Sequence, residues 1–321
     1  MEKATVYVLD PYHEDAVALL TSTEWIKVVL WTDPRKDDWH RHADGVLVRS
    51  ETSLEASDFN QAKRLRAVVK QGVGIDNINL AAAKDAGVAV CNTPGLNSES
   101  AAEFTLALAL ALSRRIVETD HLLHQGERVV RSQTLGLSLF HKIVGVVGMG
   151  NIGKISAQIW IGACKAKIIG YDPFAPVDVW DEDQIPHSRA STLDELLQES
   201  DVVLLHLPLL ASTRGLIGLR EPRLMKKTAI LVNAAKGSIV DEKALLDALK
   251  EKMIWGAALG AVEVEPPTLE AHRDLLKLRN VIITPHIGAW TVENQINSGL
   301  AAARTLLASV QGKNDMPGKL V

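Results

Sequence analysis

Cysteine is nearly missing from this sequence: Cys91 and Cys164 are the only two in 321 residues. That is too few for a disulfide framework, and neither sits in a metal-ligand spacing, so a reducing compartment and no metal site are expected. Charge of one sign is also lacking. With 35 Lys+Arg against 39 Asp+Glu the formal net charge is −4, which argues against nucleic acid or an anionic membrane surface as the main partner. Long apolar runs are absent too. The longest candidate, residues 106–112, falls far short of the about 18 needed to span a bilayer. The first ten residues enter a strand-like run with no charged and apolar leader, so a cytoplasmic globular chain is expected. Gly 22 and Pro 12 exclude collagen-like and low-complexity classes. What is present is a 47% apolar composition and a length that suggests roughly two domains.

Short β-branched runs at 5–9, 26–31, 45–48, 67–70 and 88–91 read as buried strands of a parallel sheet. Helix-period patterns at 13–20, 54–62 and 80–86 lie between them, the alternation of a doubly wound α/β unit. From Ser98 a long helix is expected, ending near Arg114 and Arg115, where cations suit its C-terminal dipole. A second alternation follows, with strands at 143–147, 167–171, 202–206, 229–233, 256–259 and 281–284 and helices at 153–161, 193–199 and 242–251. A last helix is expected over 292–307.

Gly148-Met-Gly150-Asn151-Ile152-Gly153 directly follows a strand and opens a helix. The first glycine permits the tight turn, the second lets backbone approach a pyrophosphate, and the third allows close helix–strand packing. The helix N-terminus then offers free N–H groups to phosphate. The next strand ends in Asp172, nineteen residues past Gly153, where a carboxylate accepts the ribose hydroxyls. Asp172 could instead merely open the turn at Pro173, but the order of strand, motif, helix, strand and acid favours a dinucleotide. A carboxylate repels a 2′-phosphate, so NAD is expected over NADP, with Arg214 the nearest cation that could oppose this.

Downstream come Asn233-Ala234-Ala235-Lys236-Gly-Ser-Ile-Val-Asp241, then residues 256–266 ending Glu265-Pro266, then Thr284-Pro-His286-Ile-Gly288. Together with Gln71-Gly72-Val73-Gly74-Ile-Asp-Asn77 and Cys91-Asn-Thr-Pro, this order resembles the D-isomer-specific 2-hydroxyacid dehydrogenase family. The resemblance implies two doubly wound domains. A flavodoxin-like substrate domain, residues 1–97 and 289–321, is split by an inserted Rossmann cofactor domain, residues 98–288, with the active site in the cleft between them. It implies NAD as cofactor, a homodimer formed through the cofactor domain, and a small anionic 2-oxo or D-2-hydroxy acid as substrate. The family's acid–base histidine falls on His286 and its supporting carboxylate on Glu265. Reduction of a 2-oxo acid builds negative charge on the carbonyl oxygen, so a proton must arrive, and a neighbouring carboxylate stabilises and orients the imidazolium.

By the same resemblance Gly72, Val73 and Gly74 present amides to the substrate carboxylate, as a Gly-x-Gly turn can. His206, Pro208, Thr213, Asn233, Ala234, Ala235 and Gly288 join Gly148, Gly150, Asn151, Ile152, Gly153 and Asp172 around the cofactor. Asn97 and Glu103 match positions near the hinge, with Glu103 capping or bridging the start of the helix. Trp290 either walls the substrate pocket or packs between domains. Two positions depart from the family. Its substrate-binding arginine is Lys236 here, a point charge in place of a planar fork. The acid of its Leu-Asp-Val run, near the nicotinamide carboxamide, is Gly260. These departures leave open an NAD(H)-binding regulatory protein with little turnover, or a reductase of imines or bulkier keto compounds.

Overall fold

Runs in which nearly every residue is apolar cannot face water on alternate positions, and here they become strands shielded on both sides. The structure is a computed structural model describing residues 3–313 and 315–321. It divides into two units, one comprising the described residues up to Asn97 with Trp290–Val321, the other Ser98–Ala289. In the first unit, β1 (Ala4–Val8), β2 (Ile26–Val29), β3 (Gly45–Val48), β4 (Ala67–Lys70) and β5 (Ala89–Cys91) pair in parallel in the order β2-β1-β3-β4-β5. That is the flavodoxin-like order. The C-terminal helix Val292–Val310, capped by the Thr291 hydroxyl accepting from Asn294 N–H at 3.2 Å, returns to cover this sheet. It lies so close to β3 that a Cβ on Gly45 would stand 2.7 Å from Val310 Cγ2 and 3.0 Å from Leu306 Cδ1.

The second unit holds seven parallel strands: β6 (Ile143–Val147), β7 (Lys167–Tyr171), β8 (Ser188–Arg189), β9 (Val202–Leu205), β10 (Ile230–Asn233), β11 (Gly256–Leu259) and β12 (Val281–Ile283). Their order, β12-β11-β10-β9-β6-β7-β8, reverses direction between β6 and β9, which is the switch point where doubly wound sheets bind ligands. The helix Ser98–Ser113 packs across β10 and β11, and Asn151–Cys164 buries Ala157 and Trp160 against the same face. Trp180 is equally buried and donates its indole N–H to the Met149 carbonyl at 3.0 Å, bracing the turn after β6.

Several expectations shift locally. The long helix stops at Ser113, and Arg115 takes a left-handed backbone conformation (φ 55°) and pairs with Glu118 at 2.7 Å instead of lying at the helix end. Glu103 is exposed five residues into this helix, so it does not cap its start. Between β2 and β3 lie two short helical pieces, Pro34–Asp38 and Trp39–His42, that carry no apolar periodicity. Local chemistry makes the first of them: the Asp33 carboxylate accepts from Arg35 N–H at 2.9 Å and proline takes the first helical position. No helix among the described residues is long and apolar enough to cross a membrane.

Candidate active site

At the switch point the three motif glycines differ in what surrounds them. Gly148 has φ +96°, and a Cβ there would run into the carbonyl oxygen of His206, so only glycine fits where β6 meets the chain leaving β9. A Cβ on Gly153 would strike the Gly148 carbonyl, which fixes how closely the helix seats on the turn. Gly150, the N-cap, has nothing within 4 Å of a built Cβ. Open space in front of a 14-residue helix whose first turn is Asn151, Ile152 and Gly153 suits a pyrophosphate. Asp172 follows β7 at the same edge. Its Oδ2 accepts from Met149 N–H at 3.0 Å, and its Oδ1 accepts from Phe174 and Ala175 N–H at 3.0 and 3.1 Å. The carboxylate therefore does shape the turn at Pro173, and it also ties that turn to the phosphate loop. Arg189 lies beside this turn, donating to the carbonyls of Asp172 and Ala175 at 2.6 and 2.7 Å.

A second cluster lies beyond β10, β11 and β12. The buried Asn233 side chain donates to the Lys236 carbonyl at 2.9 Å and accepts from Ala235 N–H at 3.2 Å, folding residues 233–236 into a turn. Gly237 follows with its α-carbon against the Val262 carbonyl, leaving no room for a side chain. This seats Lys236 near Glu265, whose charge it lowers in cost. Glu265 in turn faces His286, and both carboxylate oxygens stand 2.9 Å from His286 Nδ1. His286 holds φ 57°, an uncommon backbone state for a residue with a Cβ and one often kept where a side chain must be aimed. The two side chains are 39% and 37% exposed, and His286 Nε2 bonds to no group among the described residues, leaving it open to a ligand. Burial pushes the Glu265 carboxyl upward. The hydrogen bond from His286, the imidazole charge, the Val262 amide and Lys236 outweigh that and hold it below its ordinary value.

In the first unit, the Gly72–Gly74 turn follows β4. Gly72 N–H already donates to the Thr93 hydroxyl at 2.7 Å, so of the three expected amides only those of Val73 and Gly74 remain open among the described residues. Trp290 is 60% exposed, with the Arg49 guanidinium 4.9 Å above its ring.

The model of the D-isomer specific 2-hydroxyacid dehydrogenase NAD binding domain matches residues 106–288. Over 94% of its length the chain is 37% identical to the hydroxypyruvate reductase of Thermotoga maritima, covering 96% of that protein. It is 38% identical to the D-3-phosphoglycerate dehydrogenase of Methanocaldococcus jannaschii over 96% of its own length, but spans only 58% of that protein. A crystal structure of a Thermus thermophilus protein superposes with a TM-score of 0.87 at 31% identity, over 99% of this chain and 100% of that one. The chain belongs to the D-isomer specific 2-hydroxyacid dehydrogenase family. Its cofactor is NAD, and it is an oxidoreductase of the 2-oxo acid and 2-hydroxy acid class.

Within this dehydrogenase several residues escaped sequence reasoning because no motif marks them: Arg189 beside Asp172, Arg49 over Trp290, and Ser156, whose hydroxyl stands 3.0 Å from His206 Nε2. Pro208 is exposed, and the Thr213 hydroxyl closes the loop after β9, accepting from Leu210 N–H and donating to the Pro208 carbonyl, both at 2.7 Å. His206 is half-buried with its Nδ1 shielded from solvent, its carbonyl lies against Gly148, and desolvation pulls its imidazole down to about 4. It is therefore neutral near pH 7 and a hydrogen-bonding partner of Ser156. Because the folded value lies below that of the unfolded chain, its contribution to stability is complete above about pH 6.5 and is lost as pH falls toward 4. Thermal unfolding of wild type and His206→Gln across pH 4–7 checks this. The variant is expected to show a shallower fall in Tm over that range, and parallel curves would contradict the assignment.

Proposed function

We propose that this dehydrogenase interconverts a small 2-oxo acid and its D-2-hydroxy acid, with His286 as the acid–base group, Glu265 as its support and Lys236 as the carboxylate anchor. The observation that carries the reading is the Glu265–His286 contact, which occupies Nδ1 with both oxygens at 2.9 Å and leaves Nε2 free. Bound NADH supplies the hydride that reduces the carbonyl carbon. As charge develops on the carbonyl oxygen, His286 Nε2 delivers a proton to it, and Glu265 balances the imidazolium before transfer. In the reverse direction the neutral imidazole takes the hydroxyl proton. Lys236 neutralises the substrate carboxylate as a point charge, so orientation depends on further donors. Gly148, Gly150, Gly153 and Asp172 would hold the cofactor, with Asp172 as the acceptor for its ribose hydroxyls. A regulatory role without turnover has less support, since an idle site needs no oriented imidazole.

Two further expectations attach to this reading. The buried, unbridged Cys91 and Cys164 suit the reducing cytoplasm. Ile116, Val117, Leu123, Leu135 and Phe140 are exposed on the second unit, an apolar set that suits pairing of two copies through the cofactor domain. Light scattering is expected to give about twice the 34.9 kDa of one chain; a mass equal to one chain would exclude the dimer. For the chemistry, His286→Ala is expected to lower kcat by about 10²- to 10⁴-fold, with NADH affinity by fluorescence unchanged. An unimpaired His286→Ala enzyme would rule the mechanism out.

A further inference from the structure

One aromatic ring meets two glycines, one in the segment that leads to Glu265 and one two residues past His286. Phe104, on the helix Ser98–Ser113, is half-buried and packs against the face of the sheet built from β10 and β11. A Cβ built on Gly260 would stand 2.9 Å from Phe104 Cε1, and one on Gly288 would stand 3.2 Å from Phe104 Cδ1. Gly260 is confined from behind as well, its built Cβ lying 3.3 Å from both Ala234 Cα and the Asn233 carbonyl oxygen. Its own N–H donates to that carbonyl at 2.7 Å, so residue 260 cannot back away from the ring.

The chain positions of these contacts matter more than their tightness. Gly260 follows β11, Asn233 and Ala234 open the turn that carries Lys236, and Gly288 stands two residues after His286. A single flat side chain thus stands between Gly260, which is backed by the Asn233–Ala234 start of the Lys236 turn, and Gly288, in the segment that carries the imidazole. A phenyl ring suits that task, because it fills volume with few rotatable bonds and does not compete for hydrogen bonds. A helix-borne ring is also a firmer spacer than a loop side chain, since its backbone is fixed by the sheet beneath it.

We propose that Phe104 is a positioning residue of the active site, whose ring takes the volume a side chain on residue 260 would need and sets the spacing between the Lys236 turn and the His286 turn. The glycine at 260 is then the complement of the ring and not a lost function. This inference rests on the assignment of His286 and Lys236 above. It requires that enlarging residue 260 displace the ring, and that trimming the ring relieve the displacement.

The test is a mutant cycle on the full chain with Gly260→Ala, Phe104→Leu and the two combined, following kcat, NADH binding by fluorescence, and Tm. Gly260→Ala alone is expected to lose about 10- to 100-fold in kcat, the scale of a small misplacement of reacting groups. Adding Phe104→Leu is expected to regain at least about five-fold of that. A Gly260→Ala enzyme of parental activity would overturn the proposal. So would recovery of Tm without recovery of kcat, which would mark the ring as packing alone. A third arm places Phe104→Leu in the His286→Ala background, where its effect on kcat is expected to vanish while its effect on Tm persists. If His286→Ala is itself unimpaired, the mechanism fails. Relief of Gly260→Ala by Phe104→Leu is then still read in kcat and NADH binding, where relief keeps the ring as a spacer and relief of Tm alone overturns it.

Discussion

The absence of a side chain at Gly148, where a Cβ would fall on the carbonyl of His206, sets the geometry on which the rest of the second unit depends. Gly148 lies where β6 and β9 run side by side in parallel and their onward connections part in opposite directions. A parallel sheet covered on both faces satisfies its backbone internally and leaves only its C-terminal ends for polar chemistry. Any side chain at 148 would push these two ends apart. With glycine there, the helix Asn151–Cys164 starts at the sheet edge, its first N–H groups stay free, and Asp172 on the neighbouring strand closes the turn through Met149.

The acid–base cluster depends on the same edge further along. Asn233 spends its amide on the backbone of residues 235 and 236, so the turn after β10 is rigid before any ligand arrives. Glu265 and His286 come from loops after β11 and β12, and each limits the other: the carboxylate occupies Nδ1, and the imidazole with Lys236 keeps the carboxyl charged despite partial burial. The arrangement gathers one cationic side chain and one imidazole around a single carboxylate. This suits a small anion bearing a carbonyl, and the near-neutral charge of the whole chain is no obstacle because the attraction is local.

Much of this was legible in the sequence because the signals were long or ordered. The strands of both sheets are apolar runs, and strands 45–48, 67–70, 143–147, 167–171 and 256–259 stand where the pattern put them. The glycine turn and Asp172 were readable from spacing, whereas Lys236, Glu265 and His286 were singled out by the family resemblance, and the structure brings Glu265 and His286 together. The two-residue strand Ser188–Arg189 was not, since it is polar and held by its neighbour's backbone. Nor was the spent Gly72 amide, which depends on Thr93 twenty-one residues away. Phe104 read as one more apolar position on a helix; its importance lies in two distant glycines that no local pattern connects to it. Single side chains whose role is set by a partner far along the chain leave no periodic trace.

If the proposed mechanism holds, Lys236 and His286 receive the two ends of one small substrate. A crystal structure with NAD and oxalate, a carboxylate that stands in for a 2-oxo acid, would show whether they do. Lys236 Nζ is expected within hydrogen-bond distance of one carboxylate group, and His286 Nε2 within hydrogen-bond distance of an oxygen on the adjacent carbon. Oxalate bound with Nε2 unoccupied, or with Lys236 turned away from it, would contradict the mechanism.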